Sequence, residues 1–155
     1  MALTNYFQAE LLIKNAVADL FSTGMIYTGV EINELDNDDF TKMPTEAEQL
    51  GLVIRQAGFK LDPLQGKRSY QQQRIKFFWQ LAVVCPSDIY YTHGGIKVIN
   101  VMQRLMGVKL SADFTEMQLI DDERDFNEPE FMKDLAYMPM MFQIDAILKG
   151  ENSNG

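Results

Sequence analysis

The chain has 155 residues, an apolar fraction of 46% and a formal net charge of −8, which places it with ordered globular proteins of one domain rather than with disordered chains. That charge excludes a protein held on nucleic acid through its phosphates, because such affinity comes from clustered Lys and Arg; it does not exclude one that DNA merely passes. Cys85 is the only cysteine and His93 the only histidine, so there is no intrachain disulfide and no structural zinc site, which takes about four such ligands.

The N-terminal run has no basic leader and carries Glu10 and Asp19 within its apolar residues, so it reads as neither a signal peptide nor a membrane span. Together with the single cysteine, this predicts a soluble protein made in a reducing compartment. From Thr4 to Phe21 the apolar positions Phe7, Leu11, Leu12, Val17, Leu20 and Phe21 recur at helical spacing. Thr4 or Asn5 can cap the start of that helix, and Ser22–Gly24 can end it, with Gly24 tolerating a left-handed backbone. A short strand is predicted around Met25–Ile32, followed by an acidic loop, "EINELDNDDFTKMPTEAEQ".

"LGLVIRQAGFKL" (Leu50–Leu61) is a β-branched run that ends in the turn-like "DPLQGKRS". "SYQQQRIKFFWQLAVVCP" (Ser69–Pro86) follows, and the two runs read as an antiparallel pair. In the second run alternation puts Ile75, Phe77, Trp79, Leu81 and Val83 on one face, and Arg74, Lys76, Phe78, Gln80, Ala82 and Val84 on the other. "GGIKVINVMQRLMG" then switches to helical spacing, with Ile96, Ile99, Met102 and Met106 as a stripe that Val98, Val101 and Leu105 widen. "FTEMQLIDDERDF" reads as a strand with Met117 and Leu119 on one face, and the acidic stretch after it as a loop. "LAYMPMMFQIDAIL" is the last strand, with an apolar row at Ala136, Met138, Met140, Phe142, Ile144, Ala146 and Leu148 and with Gln143 and Asp145 opposite. The prediction is one α+β domain over residues 1–149, a mainly antiparallel sheet with two amphipathic helices packed on one face, and a disordered tail at 150–155.

No catalytic signature survives inspection. "GKRS" (66–69) lacks the upstream glycine of a phosphate loop, and "DNDD" (36–39) and "DDERD" (121–125) lack the glycine and terminal glutamate of a calcium loop. His93 and Cys85 are close enough in sequence to meet as base and nucleophile, but nothing orients them. We therefore expect no cofactor, no metal and no enzymatic activity. The alternatives are an enzyme built on Cys85, His93 or the acidic clusters, and a small-molecule binding module with a closed pocket. The ten methionines are ordinary core or contact residues, and Trp79 is both a core candidate and the best interface anchor.

The order of elements resembles the tail terminators of contractile-tailed phages related to Mu. The resemblance rests on the "AELLIKNAVADLF" helix, the strand "GLVIRQAGFKL", the glutamine-led "SYQQQRIKFFWQLAVVC", the glycine-started "GGIKVINVMQRLMG", and the closing strands "FTEMQLIDDERDF" and "LAYMPMMFQIDAIL". It implies a structural virion protein at the tail–neck junction, assembled in the host cytoplasm. Such a protein forms a homohexameric ring that caps the head-proximal end of the tail tube, stops its polymerisation and meets the neck. The partners implied are further copies, the tail tube protein, the sheath protein and a neck or connector protein, with DNA passing through the lumen without specific binding. The runner-up is another small neck or head–tail joining protein.

A ring needs a contact between two different patches. The expected ones are the strand residues Arg74, Lys76, Phe78, Trp79 and Gln80 on one copy and the acids Glu31, Glu34, Asp36, Asp38 and Asp39 on its neighbour. A neighbour is also expected to cover the apolar end of the second strand's outer face, at Phe78, Ala82 and Val84.

Overall fold

The computed structural model describes residues 3–28, 50–61, 72–121, 127–132 and 134–150. Helix α1 (Gln8–Val17) runs into a 3-10 turn (Ala18–Leu20) and reaches strand β1 (Ile26–Thr28) through Gly24, whose φ of 82° is the left-handed backbone expected of it. Strands β2 (Gly51–Leu61) and β3 (Gln72–Pro86) follow. A 3-10 turn (Ser87–Ile89) and a π turn (Tyr90–Gly94) lead into helix α2 (Gly95–Leu105). Strands β4 (Gln118–Ile120), β5 (Glu130–Met132) and β6 (Leu135–Lys149) close the chain. The fold is α+β, as the sequence predicts.

The sheet runs β1-β2-β3-β6-β4, with β5 also beside β6. It is antiparallel except for β1, which lies parallel to β2. Its spine is the β3–β6 pair, in which all fifteen residues of β3 find a partner, from Gln72 opposite Lys149 to Pro86 opposite Leu135. At ~3.3 Å per residue this ladder is roughly 45 Å long. Its register puts the odd residues of β3 and the even residues of β6 on the same face, and Ile75, Phe77, Trp79, Leu81, Val83, Met140, Phe142 and Ile144 are all buried there.

Both helices cover that face, but not with every residue expected. On α1 the buried line is Ala9, Ile13 and Val17, with Leu12 and Ala16 beside it, whereas Phe7 and Leu11 are exposed. On α2 Val101 and Leu105 are buried and Val98 and Met102 partly so, while Ile96, Ile99 and Met106 face outward. A bidentate pair ties the helices together, with Arg104 Nη2 3.1 Å from Asp19 Oδ2 and Arg104 Nη1 donating to the Ala16 carbonyl.

Two strand expectations need correction. β4 has three residues rather than a long run; Met117 is buried just before it, and Leu119 stands on the helix face but at the sheet margin, beyond the helices' cover. Part of the stretch read as a loop is β5, too short to leave a period-2 signal. The expected tail lies outside the described residues apart from Gly150.

Gly94 is fixed by contact rather than by backbone conformation. A Cβ there would sit 2.7 Å from Met138 Cε and 2.9 Å from Cys85 Sγ, inside van der Waals contact. Met138 ends in a methyl that can swing aside, but Cys85 is fully buried and has nowhere to go. Gly94→Ala is therefore expected to cost about 1–3 kcal/mol, read as a lower midpoint in urea unfolding. An unchanged midpoint would show that α2 does not start against Cys85.

Candidate interaction surfaces

The predicted site residues on β3 separate by parity. Trp79 is 1% exposed and packs in the main core, so it anchors its own subunit and is not a surface anchor. Its indole Nε1 has no hydrogen-bond partner among the described residues. Phe78 and Gln80 are half-buried on the opposite, open face, Phe78 opposite Gly58 and Gln143, and Gln80 opposite Arg55 and Met141. Arg74 is exposed and Lys76 half-buried on the same face. Glu31, Glu34, Asp36, Asp38 and Asp39 lie outside the described residues, as do the "GKRS" and "DNDD" stretches.

The open face corrects a further expectation. Its apolar end does not wait for a neighbour: Val53, Ala82 and Val84 are at most 2% exposed, and Tyr27, Leu135 and Tyr137 pack against them. Burial pushes the Tyr137 hydroxyl above its ordinary pKa. Sequence alternation found this face but not its cover, which comes from residues far apart in the chain.

At the other end of the same face Asp145 is almost buried. Arg74 Nε lies 3.2 Å from its Oδ2, and Gln143 Nε2 donates to its Oδ1 over 2.8 Å. Its backbone N–H donates to Thr115 Oγ1, and its carbonyl accepts from the Thr115 N–H. A carboxylate removed from water needs such partners. Reversing the charge at Arg74 would thus strike the subunit's own Asp145 before it reached any neighbour.

Cys85 and His93 do not form a nucleophile–base pair. Cys85 is fully buried, and burial, then the nearby Asp88 charge, push its thiol up to about 11. His93 is exposed, with Nδ1 3.1 Å from Thr92 Oγ1. A protonated, enclosed thiol is inert as a nucleophile at neutral pH. Among the described residues no group of three His, Cys, Asp or Glu side chains is placed to hold a metal ion. No described helix is long and apolar enough to cross a membrane.

What the sheet does present is its two ends. At one end β2, β3 and β6 run past the helices. An open apolar groove of about 260 Å³ lies there, lined by Leu3, Tyr6, Phe59, Ile75, Phe77 and Leu148. Tyr6 meets the Phe59 and Phe77 rings edge-on at 6.1 and 5.7 Å. It also donates its hydroxyl to Gln56 Oε1 at the β2 bulge, where Gly58 takes a φ of 120°. Phe59 and Leu61 remain about half exposed. Lys60, Arg74, Lys76 and Lys149 stand at this end, and Lys60 sits directly opposite Lys76.

At the far end of the sheet the described residues include several carboxylates, and the Arg55 charge acts there on Tyr137, opposite Glu130. Asp88, Glu128, Glu130 and Asp134 are exposed there, around the ends of β3 and β6 and along β5. The Ser87 N–H donates to the Asp134 carbonyl, joining the two strand ends. Tyr90 packs edge-on against Phe131 at 4.9 Å, and Tyr91 and Phe131 are exposed by 83% and 54%. Sequence reasoning missed both ends as units, because Lys60 and Arg74, or Asp88 and Asp134, become neighbours only once the strand register is known.

The chain matches no protein-family model and no curated protein sequence.

The thiol supplies a pH test. Folding raises the Cys85 pKa from 9.0 to about 11. Above pH 9 the unfolded thiol ionises while the folded one keeps its proton, so the folded state binds more protons and stability falls with rising pH until about 11. Cys85→Ala should flatten that part of the urea-stability profile, and the native thiol should resist alkylation at neutral pH. Alkylation as fast as in the unfolded chain would contradict the burial.

Proposed function

We propose that the chain is a structural virion protein, a subunit of a homohexameric ring that caps the head-proximal end of a phage tail tube, stops tail polymerisation and joins the tail to the neck. The observation that carries this reading is the plan of elements. A first helix, a long strand pair, a glycine-started helix and a closing strand follow in the order on which the resemblance to tail terminators rests. They fold as an α+β subunit with both helices on one sheet face. A ring subunit also needs surfaces that its own fold leaves open, and the exposed apolar groups at the sheet ends and the outward Ile96 and Ile99 of α2 suit that role.

The role is mechanical, with no catalytic step and no cofactor assigned. The partners are other copies, the tail tube protein and a neck or connector protein, with the sheath protein beside them in a contractile tail. The site of action is the tail–neck junction of the virion, after assembly in the host cytoplasm. A net charge of −8 suits a conduit, since lumen carboxylates repel the phosphates of passing DNA.

Electron microscopy of particles made without the protein tests the reading. Tails of uncontrolled, excessive length are expected. Tails of normal length that fail to join heads would overturn it in favour of a neck or head–tail joining protein.

A further inference from the structure

The end of β2 carries one residue too many for its partner. Down to Gln56, opposite Trp79, β2 keeps step with β3; then Ala57 is left over and Gly58 takes the place opposite Phe78. Such a bulge changes which residues share a face. Ile54 and Gln56 stand on the helix face, and without the bulge Gly58 and Lys60 would follow them there, with Lys60 opposite Ile75. With it, Phe59 and Leu61 stand on that face, opposite Phe77 and Ile75, and Phe59 becomes a wall of the apolar groove beside Tyr6.

Three hydrogen bonds converge on the Gln56 carboxamide. Its Oε1 accepts from the Gly58 N–H over 2.7 Å and from the Tyr6 hydroxyl over 2.9 Å, and its Nε2 donates to the Gly58 carbonyl over 3.0 Å. Both backbone polar groups of Gly58 are thus held by one side chain, which Tyr6 fastens from fifty residues away. Gly58 has a φ of 120°, which residues with a side chain rarely adopt, although a Cβ there would meet nothing within 4 Å. The glycine therefore serves the backbone of the bulge and not its packing.

We propose that the bulge is a two-position register switch and that the Tyr6–Gln56 contact is its latch. Latched, Phe59 and Leu61 lie on the helix face. Released, the end of β2 slips by one residue into step with β3. Phe59 then stands opposite Lys76 and Leu61 opposite Arg74, and both turn onto the open face that Phe78 occupies. The latched position buries only part of these side chains, since Phe59 and Leu61 are 51% and 47% exposed, and it leaves Ala57 outside the register. The slipped position restores the ladder but sets Lys60 opposite Ile75. With gains and losses on both sides, a few hydrogen bonds decide the balance. Because Tyr6 belongs to the segment that leads into α1, the placing of the N-terminal residues sets the facing of the β2 end. This switch is independent of the ring proposed above.

NMR of the full chain reads the register from cross-strand contacts. The unaltered protein should show Phe59 against Phe77 and a Gly58 amide protected from hydrogen exchange. Gln56→Ala should lose that protection and replace the Phe59–Phe77 contact by Phe59–Lys76. Gly58→Ala, which disfavours the bulged backbone and leaves Gln56 in place, should slip in the same way. Tyr6→Phe keeps the ring and removes one hydroxyl; its Gly58 amide should exchange about tenfold faster, as for the loss of one hydrogen bond, with the amides of the main core unchanged. An alanine variant that keeps Phe59 against Phe77, a β2 end that frays past Gln56 with no cross-strand contact in either register, or Gly58 exchange unaltered in Tyr6→Phe would overturn the proposal. Should an alanine variant fail to fold, the Tyr6→Phe result decides.

Discussion

Everything in this subunit depends on the register of one strand pair. Each residue of β3 is matched by one of β6, and a slip of β3 by a single residue would turn Phe77, Trp79 and Leu81 out of the core and bring Lys76 and Gln80 into it. The register is therefore held by the whole apolar face at once. It also decides what the surface looks like, because it gathers residues 60, 74, 76 and 149 at one end of the ladder and residues 88, 130 and 134 at the other.

The middle of the helix face is covered by α1 and α2, and the aliphatic end of the open face by Tyr27, Leu135 and Tyr137. Apolar groups left uncovered among the described residues include the groove beside Tyr6 and Phe59, the outer stripe of α2, and the ring pair Tyr91 and Phe131.

The sequence carried the period of each long element, and so the fold class, the strand pair and the facing of Ile75 through Val83 were legible in it. It did not carry rotation or cover. The first helical stripe was right at Leu12, Val17, Leu20 and Phe21 but not at Phe7 and Leu11, whose size outweighs the buried Ala9 in any count of apolar residues. Trp79 could not be divided between core and interface until two helices were seen above it. Val84 looked bare because Tyr27 and Tyr137, its cover, lie on strands far away in sequence. The grouping of charged residues at the sheet ends was invisible for the same reason: it belongs to the register and not to any one stretch.

Disulfide trapping tests the β3–β6 register most directly. In a chain carrying Gln80→Cys together with Met141→Cys, residues directly opposite one another, mild oxidation should close an intrachain bridge that shifts mobility on a non-reducing gel. Cys85, being fully buried, should not compete. A bridge that forms at least as readily from Gln80→Cys with Gln143→Cys would mean that the strands pair in another register, and it would contradict the account.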